Sequence, residues 1–146
     1  MLNEMRVRFT AVKENESFAR TCVASFIANY NPTIEELGDI KTAVSEAVTT
    51  SIVHAYPYSQ GEVEIFAQIS NNNIYITVTD FGIGIDNIEQ AKQPFFTSKP
   101  DMERSGMGFT VMEGFMDSLT VESVKGNGVK VTMTKKLGDY SIAVGG

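Results

Sequence analysis

Hydrophobic and polar residues alternate from Met5 to Val12, with Met5, Val7 and Phe9 on one side and Arg6, Arg8 and Thr10 on the other. That is the pattern of a half-buried strand at an edge or interface. From Asn15 the period lengthens. Phe18, Cys22, Val23, Phe26 and Ile27 recur at helical spacing through Tyr30, and Asn31-Pro32 breaks the run. Thr33-Ile-Glu-Glu36 spells a capping box and opens a long helix. Leu37, Ile40, Val44, Ala47, Val48, Ile52 and Val53 would face a sheet, and Pro57 ends the helix near Tyr56. Gly61 to Ser70 and Asn73 to Asp80 alternate again, joined by Asn71-Asn72-Asn73, and predict an antiparallel hairpin. A helix follows from Gly108 to Ser118 with Phe109, Val111, Met112, Phe115 and Met116 inward. Leu119 to Val124 and Val129 to Leu137 then form a second hairpin closed by Lys125-Gly-Asn-Gly128. Between the hairpins, residues 85 to 107 carry Pro94, Pro100, two Phe and a polar run, with room for one short helix at Ile88 to Gln93. So long a segment with so little pattern predicts a lid.

The 146 residues fit a single domain, and 42% hydrophobic content supplies a core for it. Lys plus Arg is 12 and Asp plus Glu is 18, a net charge of −6, so the surface repels phosphate backbones and argues against direct nucleic-acid binding. Cys22 is the single cysteine and lies in an apolar helical run, which predicts a buried thiol in a reducing compartment. One His and one Cys cannot build a metal cluster. With no signal-peptide pattern and no long apolar run, no membrane association is expected and the protein should be soluble and cytoplasmic.

Candidate chemistry concentrates between Asp80 and Phe109. Gly82/Gly84 follow a strand and Gly106/Gly108 open a helix, and each pair lets the backbone take positive φ or approach a ligand closely. The N–H groups from Gly106 to Phe109 would lie at a helix N-terminus, where phosphates are stabilised. Asp80 could accept from an exocyclic amine such as that of adenine, and Thr97, Ser98 and Lys99 could reach phosphates. Asp80-Phe81-Gly82 imitates the metal-binding triplet of eukaryotic-type protein kinases, but no Val-Ala-Ile-Lys strand or His-Arg-Asp loop precedes it. A Walker loop is excluded because no Gly precedes Lys-Ser or Lys-Thr. Glu46 and Thr50 share a helix face; beside Ala47 and Val48 the carboxylate is either partly desolvated, and a better base, or turned outward. His54 reads as a packed polar residue near the helix end, and Glu16 and Arg20 as an i,i+4 pair on a polar face.

The ordered motifs are Glu46-x-x-x-Thr50 on a helix, Asp80-x-Gly82-x-Gly84 after a hairpin, a lid, and Ser105-Gly-Met-Gly108 opening a helix. This order resembles the Bergerat fold of the GHKL superfamily, which includes gyrase-type ATPases, MutL and histidine kinases. Asn15-Glu-Ser-Phe-Ala-Arg20, Asp39-Ile-Lys-Thr42, Ser45-Glu-Ala-Val-Thr49, Phe96-Thr to Lys99-Pro and Glu103-Arg-Ser-Gly-Met-Gly-Phe109 narrow it, being similar to the anti-sigma F factors of spore-forming bacteria over nearly the whole chain. The resemblance implies an α/β two-layer sandwich, with a mixed, mostly antiparallel sheet covered by helices. It further implies a homodimeric serine kinase that uses ATP/ADP and Mg2+. Such a protein holds sigma factor F away from RNA polymerase when ATP is bound, and phosphorylates a serine of an anti-anti-sigma factor. On that resemblance Glu46 is the catalytic carboxylate and Asp80 reads adenine. Gly82, Gly84, Ser105, Gly106 and Gly108 form the phosphate and lid boxes; Thr97, Lys99, Arg104, Met107 and Phe109 complete the nucleotide site; Arg20 contacts a partner.

Two positions depart from the family pattern. Thr50 stands where the family has an Asn that ligates Mg2+, and a hydroxyl is a shorter and less basic ligand. Val129-Lys130 stand where the family has Thr residues, one supporting the adenine-reading Asp, which leaves Thr132 as the candidate substitute. Two functions stay open: a kinase that is also an anti-sigma factor, or a nucleotide-loaded sequestering module whose Thr50 has cost it most or all of its kinase activity. A histidine-kinase catalytic domain fits less well because no phosphoacceptor-His domain accompanies it. A gyrase-like or MutL-like ATPase would need a transducer domain that 146 residues exclude.

Overall fold

Among the described residues, five strands and three helices follow one another as β1 (Leu2–Thr10), α1 (Asn15–Ala28), α2 (Ile34–His54), β2 (Glu62–Ser70), β3 (Asn73–Asp80), α3 (Gly108–Phe115), β4 (Ser118–Ser123) and β5 (Val129–Lys136). The computed structural model describes residues 2–57, 59–85, 92, 108–123 and 126–138. The short helix expected over 88–93, and the lid apart from residues 85 and 92, lie outside the described residues. The strands form one sheet in the order β1-β2-β3-β5-β4. The expected mixed, mostly antiparallel sheet is antiparallel at each of its four described pairings.

Strand alternation sorts the sheet into two faces. Val63, Ile65, Ala67 and Ile69 of β2, Ile74, Ile76 and Val78 of β3, and Val131 and Met133 of β5 are buried on one of them. They join Ala19, Val23 and Ile27 of α1 and Ile40, Ala43, Val44, Ala47 and Val48 of α2 in one core. Each Ile or Val so buried is worth about 1.5–3 kcal/mol relative to exposure. The longest helix, α2, packs against both α1 and α3, so it runs down the middle of the helical layer. β1 is an edge strand, as its sequence predicts. Its outward Arg6 and Arg8 pair with Glu64 and Glu62 at 2.8 and 2.9 Å, and charges on an edge discourage pairing with other strands.

Local signals set the boundaries. The Thr33 hydroxyl accepts the Glu36 N–H at 3.0 Å while the Glu36 carboxylate accepts the Thr33 N–H at 2.8 Å, completing the capping box. In the β2–β3 turn, Asn71 and Asn72 take positive φ of 52° and 63°, a conformation that Asn tolerates better than most side chains. Some expectations need correction. α1 ends at Ala28 rather than Tyr30, and α3 ends at Phe115 rather than Ser118. Asp117 is instead captured by the sheet, its N–H donating to the Thr134 carbonyl at 2.8 Å and its carboxylate accepting the Lys136 N–H at 2.7 Å. Phe115 is therefore exposed, and Val111 only half-buried. Cys22 is half-buried rather than buried, and desolvation pushes its thiol pKa up.

Candidate functional site

Alternation along β3 decides where Asp80 goes. It shares a face with Ile74, Ile76 and Val78, so the last residue of the strand points under the helices, and only 3% of its surface is exposed. Its Oδ1 accepts two backbone N–H groups, from Gly82 at 3.1 Å and from Val129 at 3.2 Å. The register explains the second: Thr79 pairs with Lys130, which sets Val129 opposite Asp80. The Ser51 hydroxyl of α2 is a third donor to this carboxylate. Burial raises the Asp80 pKa, and the bonds from Gly82, Ser51 and Val129 oppose the rise.

Thr132 does not support Asp80. It pairs with Thr77, three residues back along β3 and of opposite parity, on the face away from the helices. The support comes from Ser51 and from the backbone of Val129. Ser51 is 6% exposed and was missed by the sequence reading. Its signal was its position: it continues the buried stripe of Ile40, Val44, Ala47 and Val48 on α2, where a hydroxyl must find a partner.

The turn after Asp80 is anchored to the end of α2. A Cβ on Gly82 would stand 2.0 Å from the Ala55 carbonyl oxygen, and the next N–H, of Ile83, donates to that same oxygen at 3.0 Å. Gly82 therefore makes room for protein backbone, and it is Gly84 that takes positive φ, at 79°. Tyr56 ties three segments together: its hydroxyl accepts the Phe81 N–H at 2.8 Å and donates to the Glu62 carbonyl at 2.6 Å. Phe81 itself is 46% exposed, with the Arg8 guanidinium 4.5 Å over its ring.

Glu46 and Thr50 lie one turn apart on the side of α2 that meets the start of α3. Both are half-buried. A Cβ on Gly108 would stand 2.9 Å from Thr50 Oγ1 and 3.7 Å from Glu46 Oε2, so a carboxylate, a hydroxyl and the first residue of α3 share one corner. Phe109 is 6% exposed and its side chain belongs to the core, inward as its helical spacing predicts, beside Met112. His54 is the last residue of α2 and half-buried. Thr97, Lys99, Arg104, Ser105, Gly106 and Met107 lie outside the described residues. Arg20 lies on α1, with Nε 3.7 Å from Glu16 Oε2.

Residues 9–135 match the family model of the histidine kinase-like ATPase domain. An anti-sigma F factor of Clostridium perfringens is 59% identical over 94% of this chain and 99% of its own length, and one from Clostridium beijerinckii is 58% identical over 92% and 94%. The chain belongs to the anti-sigma F factor family. A more distant anti-sigma F factor, from Bacillus licheniformis, is still 52% identical over 94% of both chains. Solved structures carry the same fold beyond the anti-sigma F factors. The RsbU and RsbW domains of Rv1364c from Mycobacterium tuberculosis superpose with a TM-score of 0.67 at 16% identity, over 92% of this chain and 32% of that one. The catalytic domain of the histidine kinase ThkA superposes at 0.55 and 15%, over 91% and 97%. The histidine kinase-like ATPase domain makes this a nucleotide-binding fold. Among the described residues no helix is long and apolar enough to cross a membrane.

Proposed function

We propose that the chain is an ATP-dependent protein serine kinase that also sequesters a sigma factor. Sigma factor F would be held in the ATP-bound state, and a serine of an anti-anti-sigma protein would be the phosphoryl acceptor. The observation that carries the proposal is the shared corner of Glu46, Thr50 and Gly108, at one helix–helix junction of a histidine kinase-like ATPase fold. Membership of a family whose relatives are named anti-sigma F factors supplies the sigma-binding half.

The residues divide the work by chemistry. Asp80 accepts the adenine amine. Glu46 orients the acceptor hydroxyl and takes its proton, a task that suits a half-buried carboxylate. The backbone N–H groups at the start of α3 face the phosphates and offset their charge. Residues 85 to 107 act as the lid that excludes water. Thr50 Oγ1, a hard oxygen donor at this corner, would hold a Mg2+ ion together with phosphate and water. When bound, Mg2+ supplies charge neutralisation on the phosphate oxygens. Arg20, half-exposed on α1, contacts the protein partner, and the active species is a cytoplasmic homodimer.

The test is incubation with Mg·ATP and a cognate anti-anti-sigma protein, followed by phosphoserine analysis of that partner. Phosphoserine on the partner is the expected result. The hydroxyl at position 50 favours one other reading, a nucleotide-loaded sequestering module. That reading predicts retained sigma binding with no phosphate on the partner.

A further inference from the structure

Asn127-Gly128 is the one Asn-Gly pair in the chain, and it lies in the turn between β4 and β5. Asn127 is exposed, whereas Gly128 is buried and takes a φ of 92°. A Cβ at position 128 would stand 2.1 Å from the Asp80 carbonyl oxygen, so backbone angle and close approach both restrict the position to glycine. Asparagine is among the chemically labile residues, and the fold sets next to this one the residue whose amide nitrogen no side chain screens. Hydrogen bonds run from both sides of the pair to the segment around Asp80. On one side the Gly126 N–H donates to the Ile83 carbonyl at 2.6 Å. On the other the Val129 N–H donates to Asp80 Oδ1 at 3.2 Å. The Gly128 carbonyl accepts from Ser123 Oγ at 3.1 Å, and that oxygen accepts the Ile85 N–H at 2.6 Å.

We propose that Asn127 is a self-modification site whose isoaspartate product releases the Val129 amide from Asp80 and so weakens adenine-nucleotide binding. The Gly128 amide nitrogen attacks the side-chain carbonyl carbon of Asn127. The new C–N bond closes a succinimide ring, and the side-chain nitrogen leaves as ammonia, carrying the proton that the Gly128 amide gives up. Solvent water then opens either carbonyl of the ring, giving an aspartate or an isoaspartate at position 127, with nothing oxidised or reduced. Both products exchange a neutral amide for a carboxylate. Only the isoaspartate reroutes the main chain through the side-chain carbon, which adds one backbone atom between the two residues. Gly128 is seated against the Asp80 backbone without space for even a methyl group, so the added atom displaces the turn and the start of β5. The Val129 N–H, one residue on, loses its alignment on Asp80, and a hydrogen bond weakens steeply as it is misaligned. The consequence for nucleotide rests on the proposed reading of Asp80 as the adenine acceptor.

The experiment ages the full chain in warm, mildly alkaline buffer and maps position 127 by peptide mass spectrometry and isoaspartyl methyltransferase labelling. Ion exchange isolates the modified chains by their added charge, and calorimetry reads ADP binding. Isoaspartate should build up at position 127 ahead of every other asparagine. The isoaspartate-containing fraction should bind ADP ~10-fold or more weakly than fresh protein, the scale of one hydrogen bond to a charged group. Asn127→Ser has no side-chain amide to lose, so it should bind ADP as the fresh parent does and keep that affinity through ageing. Freshly purified Asn127→Asp carries the new charge on an unaltered backbone and should also bind as the parent does. An intact Asn127 after ageing overturns the site itself. A modified Asn127 with unchanged ADP affinity overturns the coupling if Asp80→Asn does weaken ADP. If Asp80→Asn binds ADP normally, the underlying reading of Asp80 fails and takes the consequence with it, while the mass analysis still judges the modification. Equal weakening in Asn127→Asp and in the isoaspartate fraction would assign the loss to charge and remove the rerouted backbone as its cause.

Discussion

Thr50 Oγ1 lies 2.9 Å from the point that a Cβ on Gly108 would occupy, closer than two such atoms settle. The relationship joins the middle of α2 to the first residue of α3. In Gly108→Ala either the hydroxyl or the helix end has to shift, and the amides proposed to bind phosphate shift with it. We expect ATP affinity to fall ~10-fold, equivalent to about 1.4 kcal/mol. Stability should hardly change, because Ala is a better helix former by about 1 kcal/mol. Calorimetry with ATP and thermal unfolding check both halves, and undiminished ATP binding would show that phosphates do not use this corner.

Thr50→Asn tests the same corner from the other helix. An amide oxygen on a longer side chain reaches a metal that the Thr50 hydroxyl meets poorly, so Mg2+-dependent ATP affinity and partner phosphorylation should both rise. An improvement of ~10–100-fold is the scale on which metal-site support matters. Titrating Mg2+ against both readouts in the two proteins decides it; no gain in either would make the hydroxyl a competent ligand.

Glu46→Gln should bind ATP and fail at phosphoryl transfer, since the amide fills the space and cannot accept a proton. The expected loss in single-turnover rate is ~10²–10⁴. A rate within a few-fold of the parent would remove Glu46 from the role of base.

Asp80→Asn should weaken ADP binding by about 1.5–3 kcal/mol, read by calorimetry. The raised Asp80 pKa adds a pH signature. The folded state holds this proton at pH values where the unfolded chain has released it. Stability from this group is thus full below the ordinary carboxylate pKa and is lost as pH rises through the raised one. Binding runs the other way. It needs the ionised form, so ADP affinity should fall as pH is lowered through the raised pKa, before ordinary carboxylates titrate. Asp80→Asn should flatten both trends, and an affinity profile that the substitution leaves unaltered would assign the titration elsewhere.

Arg20→Ala removes a half-buried i,i+4 ion pair with Glu16 worth about a few tenths of a kcal/mol, so stability should fall only slightly. Nucleotide affinity should hold, because Arg20 sits on α1 and the proposed nucleotide residues on α2, β3 and α3. Sigma retention in a pull-down with ATP should drop. Full retention would move the partner contact off this face of α1.

Elements with a strong period were legible in the sequence. The capping box at Thr33 and Glu36, the alternation of β2 and β3, and the Asn71-Asn72 turn are short-range effects, decided within a few residues of the chain. Element ends were less so: the end of α3 depends on Asp117 pairing with Thr134 and Lys136, from a strand not yet made when the helix pattern runs out. The motif glycines were found, but not their reasons. Gly82 is small because the Ala55 carbonyl of another element crowds it.

The chain by itself determined the helices, the hairpins and the order of Glu46, Thr50, Asp80, Gly82 and Gly108, because period, capping and turn chemistry act locally. Tertiary structure decided what supports them. Register between β3 and β5 brings the Val129 amide to Asp80 and carries Thr132 to the opposite face. Packing of α2 over the sheet brings Ser51 to the same carboxylate, and packing of α3 on α2 brings Gly108 against Thr50. These contacts join residues tens of positions apart, and they exist only once hydrophobic burial has set the layers and the strand pairing has set the register.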